Sequence, residues 1–375
     1  MKIWLLFLPI LAISQPLQNR ILIATSSDGL VFQKLNMIFC DSADVPDAVI
    51  GPNNSVYLFY QGLITHWSDG IKVAISNDGF NNWQHYQVII PGTENWPGKP
   101  CDPDVIMFGD TFRLYFTGDP INDMQPETYS AISLDGIHFS LENGIRFQVV
   151  GYPVLDPSLL WTGDTLQYFA GGAPANFNWH AHSTDGLQFI QQSNFNINNL
   201  MLANGISLIT GGYRFYCFSN NANNRNICSI YSSNGENWTG ENGYRIQYDS
   251  TNPLEYLYVK DPAIVYKDSI YIMYYVTRKR PNSLEENFDT SHTLFIHPNP
   301  FGTTIQIRLD SNIKNISIYD KIGRLVKSFQ TEQLAHNIIQ WDGKDNQGIK
   351  IPAGIYFIKS VGNKSQAINK VVKLR

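Results

Sequence analysis

The sequence predicts an all-β protein, in which a five-bladed β-propeller with a split closing blade is followed by a small immunoglobulin-like β-sandwich. Three observations lead to this prediction. Two short motifs alternate five times along the chain, as expected of a repeat fold. Short aromatic-rich runs lie between turn residues throughout, which is typical of strands. The chain also divides by charge: from His292 onward it holds 12 Lys and Arg against 5 Asp and Glu, although the net charge of all 375 residues is −5.

The first motif is Ser-x-Asp-Gly or Ser-x-Asn-Gly followed by an aromatic residue. Both residues of Asp-Gly and Asn-Gly accept a positive φ, so each copy predicts a tight turn between two strands. Since the copies recur every 49 to 57 residues, each marks one blade. The third position of the motif is held by Asp28, Asp78, Asp135, Asp185 and Asn234.

The second motif is an Asp/Pro pair that opens an aromatic-rich pair of strands. Together the two motifs supply four strands per repeat, which matches a propeller blade. The chain opens with the first motif and its repeats end with the second. Strands near Ile21–Leu35 are therefore predicted to close the ring against strands near Ala263–Val276, which removes a free sheet edge. The copies span 45–62, 102–118, 156–172, 203–219 and 261–276.

The chain divides into four predicted segments. In residues 1–14, Lys2 precedes a short apolar run, which indicates a signal peptide. The repeats fill residues 15–280, where the propeller is expected. The polar stretch 281–291 predicts a linker, and short alternating runs predict a β-sandwich over 292–375. No later run is long and apolar enough to span a bilayer, which takes ~20 residues.

The tail resembles the C-terminal sorting domain of the bacterial type IX secretion system. The resemblance covers the whole tail in the family's order. It implies that the secretion machinery binds residues 292–375 and exports the chain, usually with later removal of this domain. A secreted or cell-surface location follows. The matching pieces are PNPF (298–301), ISIYDKIGRLV (316–326), WDGKDNQG (341–348), PAGIYF (352–357) and KVVKLR (370–375).

Candidate chemistry lies in the propeller, where the second motif opens the innermost strand of each blade and directs side chains to one shared channel. Aligned through its prolines, the motif puts Asp47 and Asp104 at one position, and Asp102, Asp156 and Asp261 at the other. Because alternate residues of a strand lie on one face, Asp102 and Asp104 are expected to be alternatives for a single cluster. Carboxylates gathered in one pocket push one another's pKa values apart, which suits acid–base catalysis.

We therefore predict that the channel mouth is the catalytic or ligand-binding centre, with Asp47, Asp104 and Asp156 as its core. Asp47 is the candidate general base, because an ionised carboxylate at the start of an inner strand can orient water. A structural role stays open for each Asp, since aspartate also caps backbone amides. The secondary candidates on the inner strands are Asp102, Asp261 and Asn204.

Residues 15–288 resemble the five-bladed propeller glycosidases, the arabinanase and β-xylosidase group with its fructosidase relatives, in blade number and Asp/Pro openings. The resemblance implies a glycoside hydrolase that acts on a polysaccharide or oligosaccharide through two Asp and a Glu. No aligned position holds Glu. The acid must then come from an Asp of raised pKa or from a loop, where the candidates are Glu94, Glu127 and Glu255. The alternative is a non-catalytic extracellular propeller that binds carbohydrate or another surface partner.

Other predicted sites and partners are few. His180 and His182 lie two apart on one predicted strand beside Trp179, a pattern that suits a metal site, a sugar contact or simple packing. The sequence requires no cofactor and leaves open a structural cation in the channel. The acidic balance excludes a nucleic-acid partner, which would call for a basic surface.

The four cysteines predict disulfides, which form readily outside the cytoplasm. Cys217 and Cys228 flank a hairpin whose register would set them opposite each other, and they are the favoured pair. Cys40 and Cys101 precede inner strands of neighbouring blades and are a less favoured pair. Buried free thiols are the alternative for all four.

Overall fold

The computed structural model describes residues 19–63, 68–219, 226–280, 295–308, 313–329, 338–362 and 366–374. The predicted signal peptide (1–14) and linker (281–291) lie outside the described residues. Within them, regular structure is β apart from two single turns of 3₁₀ helix at Pro52–Asn54 and Pro174–Asn176. The predicted all-β class is therefore confirmed. No helix in this part of the chain has the length and apolar character needed to cross a membrane.

The propeller region forms five antiparallel sheets, which are its blades. The chain begins with two strands of the closing blade, β1 (Asn19–Ser26) and β2 (Gln33–Asp41). Blade 1 follows with β3 (Ala43–Ile50), β4 (Val56–Leu63), β5 (Ser68–Ser76) and β6 (Gln84–Gln87). Blade 2 comprises β7 (Cys101–Phe108), β8 (Thr111–Gly118), β9 (Glu127–Ser133) and β10 (Ser140–Leu141).

The later blades repeat this arrangement. Blade 3 comprises β11 (Leu155–Thr162), β12 (Thr165–Gly171), β13 (Trp179–Ser183) and β14 (Ile190–Gln191). Blade 4 comprises β15 (Leu200–Ser207), β16 (Tyr213–Ser219), β17 (Asn226–Ser232), β18 (Thr239–Gly240) and β19 (Ile246–Gln247). The closing blade is completed by β20 (Val259–Lys267) and β21 (Ile270–Arg278).

The ring closes between the two ends of the propeller sequence. Strand β1 pairs with β21 from Asn19 opposite Arg278 to Ser26 opposite Tyr271, within a sheet of order β2-β1-β21-β20. This is the predicted split blade. The inner strands β3, β7, β11, β15 and β20 each pack against the next, and β20 packs against β3. Both edges of the chain's first strand are thus paired, which leaves no open seam in the ring.

Each copy of the first motif folds into the same turn, because its Ser and Asp side chains bond to the backbone. In blade 2, Asp135 Oδ1 accepts the N–H groups of Ile137 and His138 at 2.7 and 2.8 Å. Ser133 Oγ accepts the N–H of Gly136, whose φ of 73° suits glycine. The same bonds recur in the other four copies. The predicted turns between strands are confirmed, but only the glycine of each Asp-Gly or Asn-Gly pair has a positive φ.

Inner strands that open with a proline begin with a β-bulge. The residue before the proline has a positive φ, 41° at Val45, 51° at Asp102 and Asp156, and 42° at Asp261. The register with the second strand of the blade shifts at the same point. Asp102 and Asp104, expected as alternatives for a single cluster, have different carboxyl neighbours, since Asp102 lies near Asp156 and Asp104 lies near Asp47.

The tail forms two antiparallel sheets around its own core. One sheet has the order β22-β23-β26 and the other β25-β24-β27-β28. Trp341, Phe301 and Tyr356 contact one another inside this core. The strands are β22 (Phe295–His297), β23 (Ile305–Arg308), β24 (Ile313–Asp320), β25 (Leu325–Phe329), β26 (Ile338–Trp341), β27 (Gly354–Gly362) and β28 (Gln366–Lys373).

The tail also contacts the propeller, through turns that lie at the far end of the blades from the start of the inner strands. The ring centroid of Phe80, in the turn of blade 1, lies 4.8 Å from that of Phe357. Ile368 packs in the same apolar cluster, and Lys370 forms an ion pair with Asp268 in the β20–β21 turn. The two parts therefore share a small apolar contact in addition to their separate cores.

The cysteines meet the predicted register without forming the predicted bond. Cys217 and Cys228 are directly opposite each other on β16 and β17, but all four thiols are free. Both side chains pack in the apolar cluster between blades 3 and 4. Burial there raises the pKa of the Cys217 thiol well above its ordinary value, which keeps the sulfur protonated and unreactive.

Candidate active site

Carboxyl side chains lie at two successive levels of the channel, and different positions of one motif supply them. The outer group, at the start of the inner strands, is called here the entrance cluster and consists of Asp44, Asp102, Asp156, Lys260 and Asp261. The inner group is called the inner belt and consists of Asp47, Asp104, Ser158 and Asn204. The predicted core of Asp47, Asp104 and Asp156 is thus divided between two levels.

The two aspartates of the inner belt bond to the backbone of the next blade. Asp47 Oδ2 accepts the N–H of Val105 at 2.7 Å, and Asp104 Oδ1 accepts the N–H of Leu159 at 3.2 Å. Their residues are only 3% and 2% exposed. Each carboxyl group therefore joins two neighbouring inner strands and has almost no access to solvent.

The other two members of the inner belt make equivalent bonds. Ser158 Oγ donates to the carbonyl of Ala203 at 2.9 Å, and Asn204 Oδ1 accepts the N–H of Ile264 at 3.0 Å. Asn204 Nδ2 also donates to Asp47 Oδ1 across the channel. Asn204 is therefore a structural partner of Asp47, and side chains of the inner belt join four of the five pairs of neighbouring blades, while Lys260 and Asp44 join the fifth.

Burial dominates the protonation of the inner belt. It raises the pKa of Asp47 to about 7. Burial and the neighbouring Asp47 carboxylate together raise the pKa of Asp104 well above its ordinary value. Among the described residues Asp104 Oδ2 is buried without a hydrogen-bond partner, a cost that is smaller for a neutral acid than for an anion. Burial and the Asp47 charge therefore both favour the protonated form of Asp104.

Lys260 occupies the middle of the entrance cluster. Its Nζ lies 2.5 Å from Asp261 Oδ2 and 3.0 Å from Asp44 Oδ1. Asn19 Nδ2 donates to the other oxygen of Asp44 at 2.7 Å. Burial raises the pKa of Asp261 to about 6, although the Lys260 charge opposes the rise. Two carboxylates of the cluster are thus matched by one ammonium group.

Asp102 and Asp156 complete the cluster and differ in their surroundings. Burial raises the pKa of Asp102, and hydrogen bonds with the Thr117 hydroxyl, the Cys101 thiol and the Asp156 backbone oppose the rise. Burial, Asp102 and Asp261 raise the pKa of Asp156 well above its ordinary value, with only Lys260 acting against them. Burial therefore raises the pKa of both carboxyl groups, and hydrogen bonds favour the anion at Asp102.

Cavities lie on both sides of the inner belt. The one on the entrance side is narrow, about 20 Å³, and Asp156 and Asp261 line it with Met201 and Phe218. The one at the opposite end of the channel is about 330 Å³, and its lining is mostly apolar apart from Asp104 and Asn204. Polar chemistry is therefore concentrated at the narrow entrance.

The three loop glutamates lie in different environments. Glu255 is fully buried, with Lys34 Nζ at 2.7 Å and the Tyr275 hydroxyl at 2.9 Å, so it has a structural ion pair. Glu94 is exposed and accepts the N–H of Gly92. Glu127 begins β9 on the entrance side of blade 2, where burial and neighbouring acidic residues raise its pKa. Of the three, Glu127 is the one suited to an acid role near the entrance.

Trp179 and the histidines lie on the third strand of blade 3, away from the inner strands. Trp179 is 3% exposed and donates to the carbonyl of Pro153 at 3.0 Å, so it belongs to the core. The ring of His180 stacks on Phe169 with centroids 4.6 Å apart. Burial and the neighbouring His182 lower the pKa of His180 to about 4. Neither His180 nor Trp179 faces the channel.

Sequence reasoning missed Asp44 and Lys260. Each immediately precedes the residue with positive φ, Val45 or Asp261. An alignment of the repeats at the residue before the positive-φ residue would have found them. The same position holds Cys101 in blade 2, and Cys101 contacts Asp102 of the cluster. The shared position of Asp44 and Lys260 is visible in the sequence, but only the structure shows that the bulge turns both side chains toward the entrance.

Known structures with the same fold are propeller glycosidases. A thermostable family-43 glycoside hydrolase superposes with a TM-score of 0.51 at 13% identity, over 63% of this chain and 88% of that chain. A family-43 β-xylosidase/α-arabinofuranosidase from a compost microbial metagenome gives a TM-score of 0.48 at 14% identity, over 62% and 85%. At such identities the first likeness shows the fold alone: the protein is an all-β propeller similar in fold to that glycoside hydrolase.

The tail is identified by its sequence. Residues 295–374 match the secretion system C-terminal sorting domain. The tail is therefore a type IX sorting domain, as the resemblance implied, and it directs the chain to the cell surface or outside. No curated protein matches the chain in sequence.

Proposed function

We propose that the chain is a secreted, carbohydrate-active propeller, a glycoside hydrolase that acts on a polysaccharide or oligosaccharide at the entrance cluster. The proposal depends on one observation, two neighbouring buried carboxyl groups at one mouth of the channel, Asp156 and Asp102, both of raised pKa, of which Asp102 has hydrogen bonds that favour its anion. Two carboxyl groups whose pKa values are pushed apart can serve as acid and base in glycoside hydrolysis. The glycosidase fold and the sorting tail support this proposal, since polysaccharides are met outside the cell.

In the proposed reaction Asp156 gives its proton to the glycosidic oxygen as the bond from that oxygen to the sugar carbon breaks. A water molecule attacks the same carbon, and Asp102 accepts the proton that the water releases. Asp261 stays close to Asp156, and its negative charge helps Asp156 to keep a proton until substrate arrives. Asp47 and Asp104 hold the inner strands in register beneath the cluster and do not touch the substrate.

The test is a screen of the full chain against polysaccharides and oligosaccharides, with cleavage and retention both measured. We expect Asp156→Asn to lower turnover by about 10²-fold or more with folding intact, because the amide has no acidic proton to donate. Asp164→Asn is the matched control, since Asp164 is exposed in the β11–β12 turn of the same blade, at the other end of the inner strand. Equal turnover in wild type and Asp156→Asn would contradict the acid role.

A second candidate function is a non-catalytic carbohydrate-binding propeller. Lys260 neutralises Asp44 and Asp261, and the entrance cavity of about 20 Å³ is small for a sugar ring. Retention of a polysaccharide without cleavage, unchanged by Asp156→Asn, would favour this function over hydrolysis.

A further inference from the structure

Three polar side chains converge between blades 3 and 4, away from the channel. His180 Nε2 lies 3.0 Å from Gln167 Oε1 and 3.1 Å from His182 Nε2. Gln167 is 1% exposed, and the His180 ring is fixed against Phe169. A second imidazole nitrogen and an amide oxygen therefore both lie within 3.1 Å of His180 Nε2.

The orientation of the Gln167 amide is set by its other hydrogen bond. Gln167 Nε2 donates to Thr162 Oγ1 at 3.2 Å, and the Thr162 hydroxyl donates to the carbonyl of Thr165 at 3.2 Å. If the Gln167 amide were rotated to exchange its oxygen and nitrogen, the Thr162 hydroxyl would have no further proton to donate to the amide oxygen. The oxygen of Gln167, a hydrogen-bond acceptor, must face His180.

The protons of a neutral His180 do not satisfy its neighbours. The backbone of Ser193 lies near the same ring and acts to raise the pKa of His180, so the ring has two oxygen acceptors beside it, the Ser193 carbonyl and Gln167 Oε1. A neutral imidazole carries one N–H. One acceptor is then left against a nitrogen lone pair, a repulsive arrangement that a cation between the two would remove.

We propose that His180 Nε2, His182 Nε2 and Gln167 Oε1 bind a divalent transition-metal ion of the Zn²⁺ type, with water as a further ligand. Imidazole nitrogens suit Zn²⁺, Cu²⁺ and Ni²⁺, and the distances of 3.0 and 3.1 Å from His180 Nε2 to the other two atoms fit an ion with bonds of about 2.1 Å. The Ser193 carbonyl would hold the proton of the other His180 nitrogen, as outer partners of metal-bound imidazoles do.

Charge and composition are compatible with this site. The carboxylate of Glu236, in the turn of blade 4, acts electrostatically on His182 and adds negative charge beside the two neutral rings. The described residues contain no group of three His, Cys, Asp or Glu side chains that could hold a metal ion. The proposed site is of a different kind, because its third ligand is the amide oxygen of Gln167.

The test is calorimetric titration of the untagged full chain with Zn²⁺ after removal of metals by chelation. We expect one equivalent to bind and His182→Asn to weaken that binding by more than about 100-fold. His138→Asn is the matched control, since His138 is exposed and bonds only within its own turn. Circular dichroism and thermal unfolding verify that each variant is folded.

Two further measurements distinguish this site from adventitious binding. Gln167→Glu replaces the amide oxygen with an anionic one and is expected to tighten Zn²⁺ binding, and electron paramagnetic resonance with Cu²⁺ should detect two coordinating nitrogens. Absence of stoichiometric binding, equal affinity of wild type and His182→Asn, or weaker binding in folded Gln167→Glu would each overturn the proposal.

Discussion

Val45 adopts a backbone conformation that suits valine poorly. Its φ of 41° is the left-handed conformation that Asp adopts at the equivalent positions 102, 156 and 261. A β-branched residue is strained there, because its Cβ approaches the following carbonyl oxygen. Blade 1 thus keeps the bulge without the residue type that favours it.

We expect Val45→Asn to stabilise the protein by about 1 kcal/mol, since asparagine tolerates this conformation. The measurement is the free energy of unfolding from chemical denaturation. Val31→Asn, at a 76% exposed position with no positive φ, is the control and is expected to change stability by less than about 0.5 kcal/mol. A loss of stability in Val45→Asn would mean that packing of the valine side chain outweighs the strain.

The raised pKa of Asp104 leads us to expect that the stability of the folded protein depends on pH. Its pKa is raised in the folded protein, so the fold keeps a proton that the unfolded chain releases above about pH 4. The contribution of this bound proton to the free energy of unfolding is therefore present at low pH and is lost as the pH rises toward the pKa of Asp104 in the folded protein.

Asparagine mimics the protonated form of Asp104, and its oxygen can still accept the Leu159 N–H. We expect Asp104→Asn to be about as stable as wild type near pH 4 and more stable, by about 1 kcal/mol or more, at pH 8. Denaturation across that range is the measurement. A constant difference between the two proteins at all pH values would show that Asp104 does not titrate within it.

At the scale of elements, the inner belt replaces the hydrogen bonds that adjacent inner strands do not make with each other. Asp47 is central to it, because one oxygen receives the Val105 N–H and the other receives the Asn204 side-chain amide. Asn204 cannot invert, since its own oxygen accepts the Ile264 N–H.

We expect Asp47→Asn to reduce the free energy of unfolding by about 2 kcal/mol, because its new amide group would face that of Asn204 with no acceptor between them. Thermal and chemical unfolding measure this loss. The double variant Asp47→Asn with Asn204→Asp reverses donor and acceptor across the channel and should recover part of it. Normal stability with lost turnover would instead support Asp47 as the general base.

At the scale of the whole molecule, the sorting tail docks on the face opposite the entrance cluster. Its contacts include Phe80, Asn81 and Asp268, in turns at the far end of the blades, and Gln33 at the start of β2. The described residues of the tail therefore contact the propeller at the end opposite the mouth of the channel.

We expect a chain that ends at Arg280 to remain folded and to unfold cooperatively, because the propeller ring closes within residues 19–278. Its stability should fall by roughly 1–3 kcal/mol, since Phe80 loses the apolar partner Phe357. In a host with type IX machinery the shortened chain should no longer reach the cell surface. Insolubility of this chain would indicate that the tail is part of the folding unit.

Sequence alone was sufficient for the features that repeat. The turn motif, the split blade and the register of Cys217 with Cys228 all follow from local patterns that the structure reproduces. The candidate site was predicted less well. Its position at the channel mouth and three of its aspartates were anticipated, but Asp47 and Asp104 lie in a buried layer, and Lys260 was not foreseen.

What the sequence by itself determined is the all-β class, the blade repeat and the sorting tail, because turn chemistry, alternation and motif order are written in neighbouring residues. Only the tertiary structure decided which carboxyl groups meet. Positive φ at residues 102, 156 and 261 moves one set of aspartates to the entrance, while residues 47 and 104 bond to amides of other blades. The pKa values of these carboxyl groups depend on their burial and on charges contributed by other blades. Neither can be read from neighbouring residues in the chain.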